Sequence, residues 1–351
     1  MKIAIMTIQS VNYGNRLQNY ALQTVLEGMG HQVDSLRRSA GFDGPMKYKF
    51  RAIKHALGGI KHRNDRMGAF RRFDERSISF SNVTVSKEYV TPGFASEYDA
   101  YVIGSDQVWN PDFWFNSELE YLPMVETGRK VAYAASYGIS EITSDCERKA
   151  ELLNGIARVS MREHAGTRIV KELTNREVPI VLDPTMLLSD ADWAKIALAP
   201  KGIALDEPYA FKYVLGTDVN ESAIATLAKV CGLRIIDIMD PSLNIGPAEF
   251  IWLIANSSLV CTDSFHASAF ALLHHKPLAI YERVGYDIDM SSRFDTLCSS
   301  FDLVGHRSSE KFFGPDAIFD TDWVAFEQCL GELRQFSRGW LSDALREVNR
   351  G

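Results

Sequence analysis

The amino terminus of the chain follows a strand–helix–strand pattern, which constrains the fold more than any other feature of the sequence. An apolar stretch from Lys2 to Ile8 leads into the polar turn VNYGN, and the next apolar side chains recur at helical spacing as far as Met29. Gly30 ends this predicted helix, and the segment HQVDSL predicts a second strand. A βαβ unit of this kind belongs to a parallel sheet, which binds ligands at the carboxyl ends of its strands.

The same alternation returns in the second half of the chain. Strands are predicted at YAFKYVLG, LRIIDIM, SLVCTD and KPLAIYE, with apolar helices between them. The stretch Ala199–Pro208, with two prolines and a glycine, is the predicted linker. We therefore predict an α/β protein of two Rossmann-like domains whose parallel sheets face a cleft. The N-terminal domain would cover residues 1–200, the C-terminal domain residues 201–330, and a C-terminal helix residues 331–351.

The charge of the chain is unevenly distributed. The whole chain has 38 Lys and Arg residues against 45 Asp and Glu residues, a formal charge of −7, which argues against a general nucleic-acid binder. Residues 46–76 alone carry ten basic residues and three acidic ones. Apolar residues at helical intervals in this segment predict two basic amphipathic helices with solvated Lys and Arg faces. The alternative is a local site for a diphosphate-linked lipid acceptor or for an anionic membrane surface.

The sequence predicts a cytoplasmic protein. No run approaches the ~18 apolar residues of a membrane span, and the start MKIAIMTIQS lacks the apolar region of a signal peptide. The five cysteines are widely spaced and form no zinc-binding pattern, as expected of thiols in a reducing compartment. The basic segment 46–76 is the candidate for peripheral contact with the inner face of a membrane.

Several common nucleotide and hydrolase motifs are missing from the sequence. No GxGxxG follows the first strand, and neither a GxxxxGK[ST] loop nor a GxSxG elbow occurs. Asp190 and Asp192 match the metal-binding DxD pattern of sugar-nucleotide enzymes, but they follow Ser189 at the start of a helix, where capping is the favoured interpretation. We expect no metal site.

The strongest local motif is TDSFHAS, residues 262–268. It joins the carboxyl end of an apolar strand to an apolar helix, where backbone N–H groups and the helix dipole favour a phosphate or carboxylate. His266 in the first turn could exchange protons near neutral pH. Asp263 and Ser264 are candidate substrate-binding residues of this junction. The alternative is structural: Asp263 or Ser264 caps the helix and His266 packs in the core.

Several blocks of sequence in one order resemble the polysaccharide pyruvyl transferase family. They are NYGNRLQNYALQ, YDAYVIGSDQVWNP, RKVAYAASYG, SMRE followed by VLDPTMLL, the block GPAEFIWLIANSSLVCTDSFHASAF, and SSRFDTLCSSFDL. Members of this family transfer the enolpyruvyl carbons of phosphoenolpyruvate to a sugar of a polysaccharide or of its lipid-linked precursor, forming a ketal. The resemblance implies a GT-B-like fold, with the donor in the C-terminal domain and the acceptor in the N-terminal domain, and it implies no cofactor.

The resemblance also implies roles for individual residues. His266 matches the catalytic histidine, which protonates the methylene carbon, and Arg162 matches an anion-binding arginine; its alternative is a surface arginine paired with Glu163 or Glu172. Some members have an arginine where this chain has Ser264, and Arg293 is the candidate that replaces its charge.

Two turns of the N-terminal domain supply the remaining candidates. Asp106 is the candidate base, or else it stabilises a turn, and Trp109 either stacks on a sugar or belongs to the core. The remaining candidate substrate-binding residues of these turns are Asn12, Gly14, Asn15, Gln18, Ser105 and Gln107.

Two other functions stay open from the sequence. One is a glycosyltransferase of the same architecture that uses a nucleotide sugar. The other is a binding protein without catalytic activity, which the serine at position 264 would favour.

Overall fold

The computed structural model describes residues 1–38, 60–85, 90–113, 116–217, 220–285 and 291–348. They form two parallel sheets, in agreement with the predicted α/β fold of two Rossmann-like units. The six strands of the first sheet are Lys2–Met6 (β1), Gln32–Arg38 (β2), Phe80–Val85 (β3), Ala100–Ile103 (β4), Lys130–Ala135 (β5) and Arg158–Met161 (β6). The four strands of the second sheet are Tyr209–Tyr213 (β7), Arg234–Asp237 (β8), Leu259–Thr262 (β9) and Leu278–Ile280 (β10).

The strand orders are β3-β2-β1-β4-β5-β6 and β10-β9-β7-β8. In both sheets the central strands are buried and apolar on both faces, as parallel sheets covered by helices require. Each order reverses beside its first strand, β1 in the first sheet and β7 in the second. Because α/β sheets bind ligands where the strand order reverses, this topology places the candidate site at the carboxyl ends of β1, β4, β7 and β9.

Helices cover both sheets. Those of the first half are Tyr13–Gly28 (α1), Ile60–Ser77 (α2), Cys146–Asn154 (α3), His164–Thr174 (α4) and Asp190–Ala194 (α5). Those of the second half are Glu221–Val230 (α6), Pro247–Ala255 (α7), Phe265–Leu273 (α8), Ser292–Phe301 (α9), Pro315–Phe319 (α10) and Trp323–Val348 (α11). Short 3-10 helices lie at Phe94–Ser96, Glu118–Tyr121, Thr127–Arg129 and Pro184–Leu187.

The predicted basic segment is described only in part. Residues 46–59 lie outside the described residues, so the first of the two predicted helices has no counterpart to compare. The second corresponds to α2, which buries Phe70 and Phe73. Arg66 of α2 donates to the backbone oxygen atoms of Ile238 and Asp240, so this helix also contacts the C-terminal half.

Two further elements connect the halves. Tyr13, the first residue of α1, stacks on Phe250 with ring centroids 4.7 Å apart, and its hydroxyl donates to the backbone oxygen of Ile245 at 3.0 Å. The helix α11 extends back to the first half, where Ser337 Oγ accepts from the backbone N–H of Leu182 at 3.0 Å. The amino terminus of α1 is thereby held against the second sheet, opposite the TDSFHAS junction.

Candidate functional site

A cavity of about 260 Å³ lies between the two sheets, at the carboxyl ends of their strands. It receives residues that follow β1, β4, β7, β9 and β10, so both halves of the chain contribute to it. Seven of the residues predicted from the sequence line it, namely Asn12, Asn15, Asp106, Gln107, Ser264, His266 and Arg293. The lining residues that were not predicted are Ile8, Ser10, Phe113, Leu215, Phe265 and Arg283. We call this space the interdomain cavity.

The junction between β9 and α8 presents an uncapped helix end to this cavity. Ser264 occupies the N-cap position, but its side chain makes no capping hydrogen bond. The carboxylate of Asp263 turns away and accepts from the backbone N–H groups of Leu215 and Gly216 at 2.9 and 2.8 Å. Neither residue caps the helix, so the structural alternative for them is wrong. The N–H groups of the first turn therefore remain suited to an anion.

His266 lies against Asp183, a residue that the sequence analysis missed. The Nε2 atom of His266 is 3.6 Å from Oδ2 of Asp183, and both side chains are buried. Burial opposes ionisation of Asp183, but the neighbouring His266 and Arg162 hold the pKa of this carboxyl well below its usual range. An ionised Asp183 therefore lies beside the imidazole of His266. The only signal in the sequence was the position of Asp183 in the block VLDPTMLL.

Gly14 makes the position of His266 possible. A Cβ atom at Gly14 would lie 2.0 Å from Nδ1 and 2.5 Å from Cγ of His266. The group that approaches this glycine is the imidazole itself. Gly14 therefore shapes the cavity through His266 instead of lining it.

Arg162 is buried beneath the cavity and does not line it. Its Nη1 donates to Oδ2 of Asp183 at 2.7 Å and its Nη2 to Oδ1 of Asp106 at 3.2 Å, while the guanidinium stacks on the ring of Phe265 at 4.5 Å. Only 1% of its side chain is exposed, so it is not a surface arginine. In this structure Arg162 orders the carboxylates around His266, and its predicted contact with a substrate anion stays a prediction.

Asp106 follows β4 with a left-handed backbone, φ 72°. One of its carboxylate oxygens accepts from Arg162 and from the backbone N–H of Gln107, and the other accepts from the side-chain amide of Asn15. Burial opposes ionisation, but Arg162, His266 and Arg293 hold the pKa of this carboxyl below its usual range. A carboxylate with a low pKa is a weak proton acceptor, so these contacts favour a positioning role over the predicted role as a base.

Arg293 and Arg283 bring positive charge to the cavity itself. Arg293 is buried, its Nε has no hydrogen-bond partner, and no carboxylate of the described residues lies within 4.0 Å of it. With the Gln107 amide oxygen turned toward it, that oxygen accepts from Nη1 and Nη2 at 2.7 and 3.2 Å. Burial and the nearby Arg162 and Arg283 lower the pKa of Arg293 to about 9.

Arg283 was not predicted from the sequence. It follows β10, at the same edge of the sheet as the TDSFHAS motif, and that position was the available signal. Its Nε lies 3.2 Å from Oδ2 of Asp263, and its Nη2 donates to the backbone oxygen of Asp263 at 2.8 Å.

Of the remaining predicted residues, some line the cavity and others are buried behind its wall. Asn12 caps α1 through the N–H of Gly14 at 2.9 Å and also lines the cavity. Gln18 and Ser105 are buried and do not line it: the side-chain oxygen of Gln18 accepts from the N–H of Ser105, whose hydroxyl donates to Asp183 at 3.0 Å. Trp109 belongs to the core, stacked on Tyr121 with centroids 4.9 Å apart.

One predicted alternative concerns residues outside the cavity, at the start of α5. Ser189 and Asp192 form a reciprocal capping box at the start of α5, so the capping interpretation of Asp190 and Asp192 is confirmed. Across the described ranges, no group of three or more His, Cys, Asp and Glu side chains is arranged to hold a metal ion. None of the helices in those ranges has both the length and the apolar character needed to cross a membrane.

Comparison with known proteins identifies a family whose model matches most of the chain. The model of the family described as polysaccharide pyruvyl transferase matches residues 12–283. That range contains all but one of the predicted site residues, the exception being Arg293. No curated protein matches the chain.

The chain also resembles solved structures of low sequence identity. Arabidopsis thaliana UGT89C1 complexed with UDP-L-rhamnose is 10% identical with a TM-score of 0.46, covering 99% of each chain. Spinosyn forosaminyltransferase SpnP is 10% identical with a TM-score of 0.46 and full coverage of both chains. E. coli ADP-heptose heptosyltransferase II is 11% identical with a TM-score of 0.37, covering 96% of this chain and 99% of that one. At TM-scores below 0.5, nothing about activity follows from these likenesses.

Proposed function

The chain belongs to the polysaccharide pyruvyl transferase family, and from that premise we propose that it transfers the pyruvyl group of phosphoenolpyruvate to a sugar. The acceptor is a sugar of a polysaccharide or of its lipid-linked precursor, and the product is a ketal that bridges two hydroxyl groups. The donor binds in the interdomain cavity on the side of the second sheet.

One observation carries this proposal: a buried arginine with no carboxylate within 4.0 Å among the described residues lines the same cavity as the histidine. A buried charge without a partner is strongly unfavourable, so a site with this arrangement is suited to a ligand that brings the missing negative charge. Arg293 has no carboxylate partner among the described residues, and Arg283 adds a second guanidinium. Phosphoenolpyruvate has two anionic groups, a phosphate and a carboxylate. The guanidinium groups and the uncapped N–H groups of α8 are donors for both.

The proposed reaction begins with the proton of His266. The imidazolium delivers its proton to the methylene carbon C3, and the oxygen of a sugar hydroxyl bonds to C2. That hydroxyl returns its proton to the imidazole. A second hydroxyl of the same sugar then bonds to C2 as the bond between C2 and the phosphate oxygen breaks, and its proton leaves with the phosphate. Electrons and protons balance without an oxidant or reductant, so the proposal includes no cofactor.

Asp183, Arg162 and Asp106 hold the histidine in place for this step. Oδ2 of Asp183 lies 3.6 Å from Nε2 of His266, and Arg162 fixes Asp183 at 2.7 Å. Asp106 ties Arg162 to Asn15 on the wall formed by the first sheet. These residues position the histidine, whereas His266 is the catalytic acid.

The acceptor faces the wall formed by the first sheet. The amide groups of Asn12, Asn15 and Gln107 line the cavity there and can donate to and accept from sugar hydroxyls.

We keep the cytoplasm as the proposed location, and segment 46–76 as the proposed contact with a membrane surface.

Release of phosphate from phosphoenolpyruvate in the presence of model glycosides tests the proposal. The wild type is expected to release phosphate in step with the appearance of a pyruvylated sugar, and His266→Gln is expected to release none while remaining folded. Release of a nucleoside diphosphate from a nucleotide sugar would instead assign the chain to glycosyl transfer. Binding of phosphoenolpyruvate with no turnover of any acceptor would favour a binding protein.

A further inference from the structure

A second, larger space of about 770 Å³ opens on the first half of the chain, between α1, α2, β2 and β3. Its residues differ in character from those of the interdomain cavity, because four arginines line it against two acidic residues. Its lining is Gln9, Arg16, Arg37, Arg38, Arg71, Asp74, Glu75, Ile78, Phe80 and Thr84. We call it the arginine cleft.

Arg16 is the buried cation of this cleft. Its residue is 9% exposed, its Nε lies 2.7 Å from Oδ1 of Asp74, and its Nη1 has no hydrogen-bond partner among the described residues. Burial raises the pKa of the Asp74 carboxyl in spite of this pairing. A guanidinium that is buried and only partly satisfied is suited to bind a further anion.

Arg37 and Arg38 enter the same cleft from consecutive positions of β2. The pairing of β2 with β3 shifts register between Ser35 and Arg37. At such an irregularity, successive side chains need not point to opposite faces of the sheet. Arg38 pairs with Glu120 at 2.7 Å. Arg37 stacks over the ring of Phe80 at 5.0 Å and donates to a backbone oxygen, and no carboxylate of the described residues lies within 4.0 Å of it.

The arginine cleft adjoins the interdomain cavity. Asn15 lines the cavity and the next residue, Arg16, lines the cleft; in the same way Ser10 lines the cavity and Gln9 lines the cleft. Consecutive Cα atoms are about 3.8 Å apart, so the two spaces are separated by little more than the turn between β1 and α1. A sugar held by the amides of the cavity could extend its substituent into the cleft.

We propose that the arginine cleft binds the phosphate or diphosphate group of a phosphorylated acceptor sugar. The inference rests on the proposed function, because it assigns the acceptor of the same reaction to the side of the first sheet. Guanidinium groups bind phosphate oxygens through paired hydrogen bonds, and four of them around one space suit a group with more than one negative charge. The diphosphate could belong to a lipid carrier or to a free sugar diphosphate, and the chemistry recognised is the same.

The test compares two double variants of equal charge. Arg37→Gln with Arg71→Gln removes two exposed guanidinium groups from the cleft. Arg72→Gln with Arg76→Gln removes two exposed charges of α2 that face a different pocket. Binding of inorganic pyrophosphate is measured by calorimetry, and KM is measured for a sugar diphosphate, for its short-chain lipid form and for the same sugar without phosphate.

We expect the cleft variant to raise the Kd of pyrophosphate, and the KM of both diphosphate acceptors, by about 10-fold to 100-fold, because each lost group removes a charge-assisted hydrogen bond. The KM of the unphosphorylated sugar and of phosphoenolpyruvate should not change, and the control variant should match the wild type. A KM for the lipid form below that of the free sugar diphosphate would identify the carrier as the source.

Equal losses for phosphorylated and unphosphorylated acceptors, or equal losses in the two double variants, would overturn the inference. The pyrophosphate measurement needs no catalysis. If the chain transferred no pyruvyl group but pyrophosphate bound in the cleft, only the proposed function would fail. If transfer occurred but pyrophosphate binding did not respond to the cleft variant, only the inference would fail.

Discussion

Substitution of Gly14 by alanine tests the placement of His266, because it should impair activity much more than stability. Gly14 lies in the first turn of α1 with ordinary helical backbone, so alanine meets no strain from the backbone itself. The obstacle is the imidazole of His266, which a Cβ atom would approach to 2.0 Å at Nδ1. Ordinary van der Waals contact starts at 3.4 Å, so the ring must move by about 1.4 Å (3.4 minus 2.0).

The expected losses are large for activity and small for stability. A displacement of roughly 1 Å in a catalytic group can reduce the rate by about 100-fold. Overpacking costs about 1–3 kcal/mol in the free energy of unfolding, and alanine recovers about 1 kcal/mol through its helix propensity. We therefore expect Gly14→Ala to lose at least about 100-fold in kcat, but only about 0–2 kcal/mol in stability.

The assay is phosphate release from phosphoenolpyruvate, together with urea unfolding of the same samples. Gly28→Ala is the matched control, because it lies on the same helix and its Cβ would meet nothing within 4 Å. In a His266→Ala background, where the ring is absent, Gly14→Ala should no longer destabilise the protein. Full activity of Gly14→Ala with unchanged stability would refute the placement of His266 against α1.

Three further predictions concern the buried charges. Arg293→Met should raise the free energy of unfolding by about 1 kcal/mol or more, because it removes a buried cation that has no carboxylate within 4.0 Å among the described residues. It should also raise the KM for phosphoenolpyruvate by about 100-fold. Loss of stability in urea unfolding would contradict the first expectation. Phosphoenolpyruvate should raise the Tm of the wild type and not that of Arg293→Met, and equal shifts would show that the donor binds elsewhere. The pKa values of Asp183 and Asp106 are lowered in the folded state, so their stabilising contribution is present above the usual carboxyl range near pH ~4 and is lost as the pH falls below it. The free energy of unfolding of Asp183→Asn should therefore decrease less with falling pH than that of the wild type. An identical pH dependence of the two free energies, measured by urea unfolding, would count against this charge network.

The strand pattern of the sequence predicted much of the fold. Parallel strands buried on both faces are mostly apolar runs, and the predicted segments YAFKYVLG, SLVCTD and KPLAIYE each contain one of the observed strands. The strand Phe80–Val85 was missed because it lies at the edge of the first sheet and its sequence, FSNVTV, mixes polar with apolar side chains. An edge strand of this kind carries a weaker signal than a central one.

The site was predicted less completely, for reasons of distance along the chain and of burial. His266 and Ser264 belong to one motif, so their place at a helix end could be read from local sequence. Asp183 and Arg283 reach the site only through the packing of separate elements. The sequence also gives no measure of solvent exposure. It therefore could not distinguish an Arg162 that is buried and paired with carboxylates from an Arg162 that lines the cavity.

The most direct measurement of the central claim is transfer in deuterated water, followed by mass spectrometry and nuclear magnetic resonance of the sugar product. If an imidazolium of His266 protonates C3, each molecule of phosphate released is matched by one ketal whose methyl group carries solvent deuterium. His266→Gln should form no product under the same conditions. A ketal without deuterium, phosphate release without a modified sugar, or undiminished transfer by His266→Gln would contradict the account.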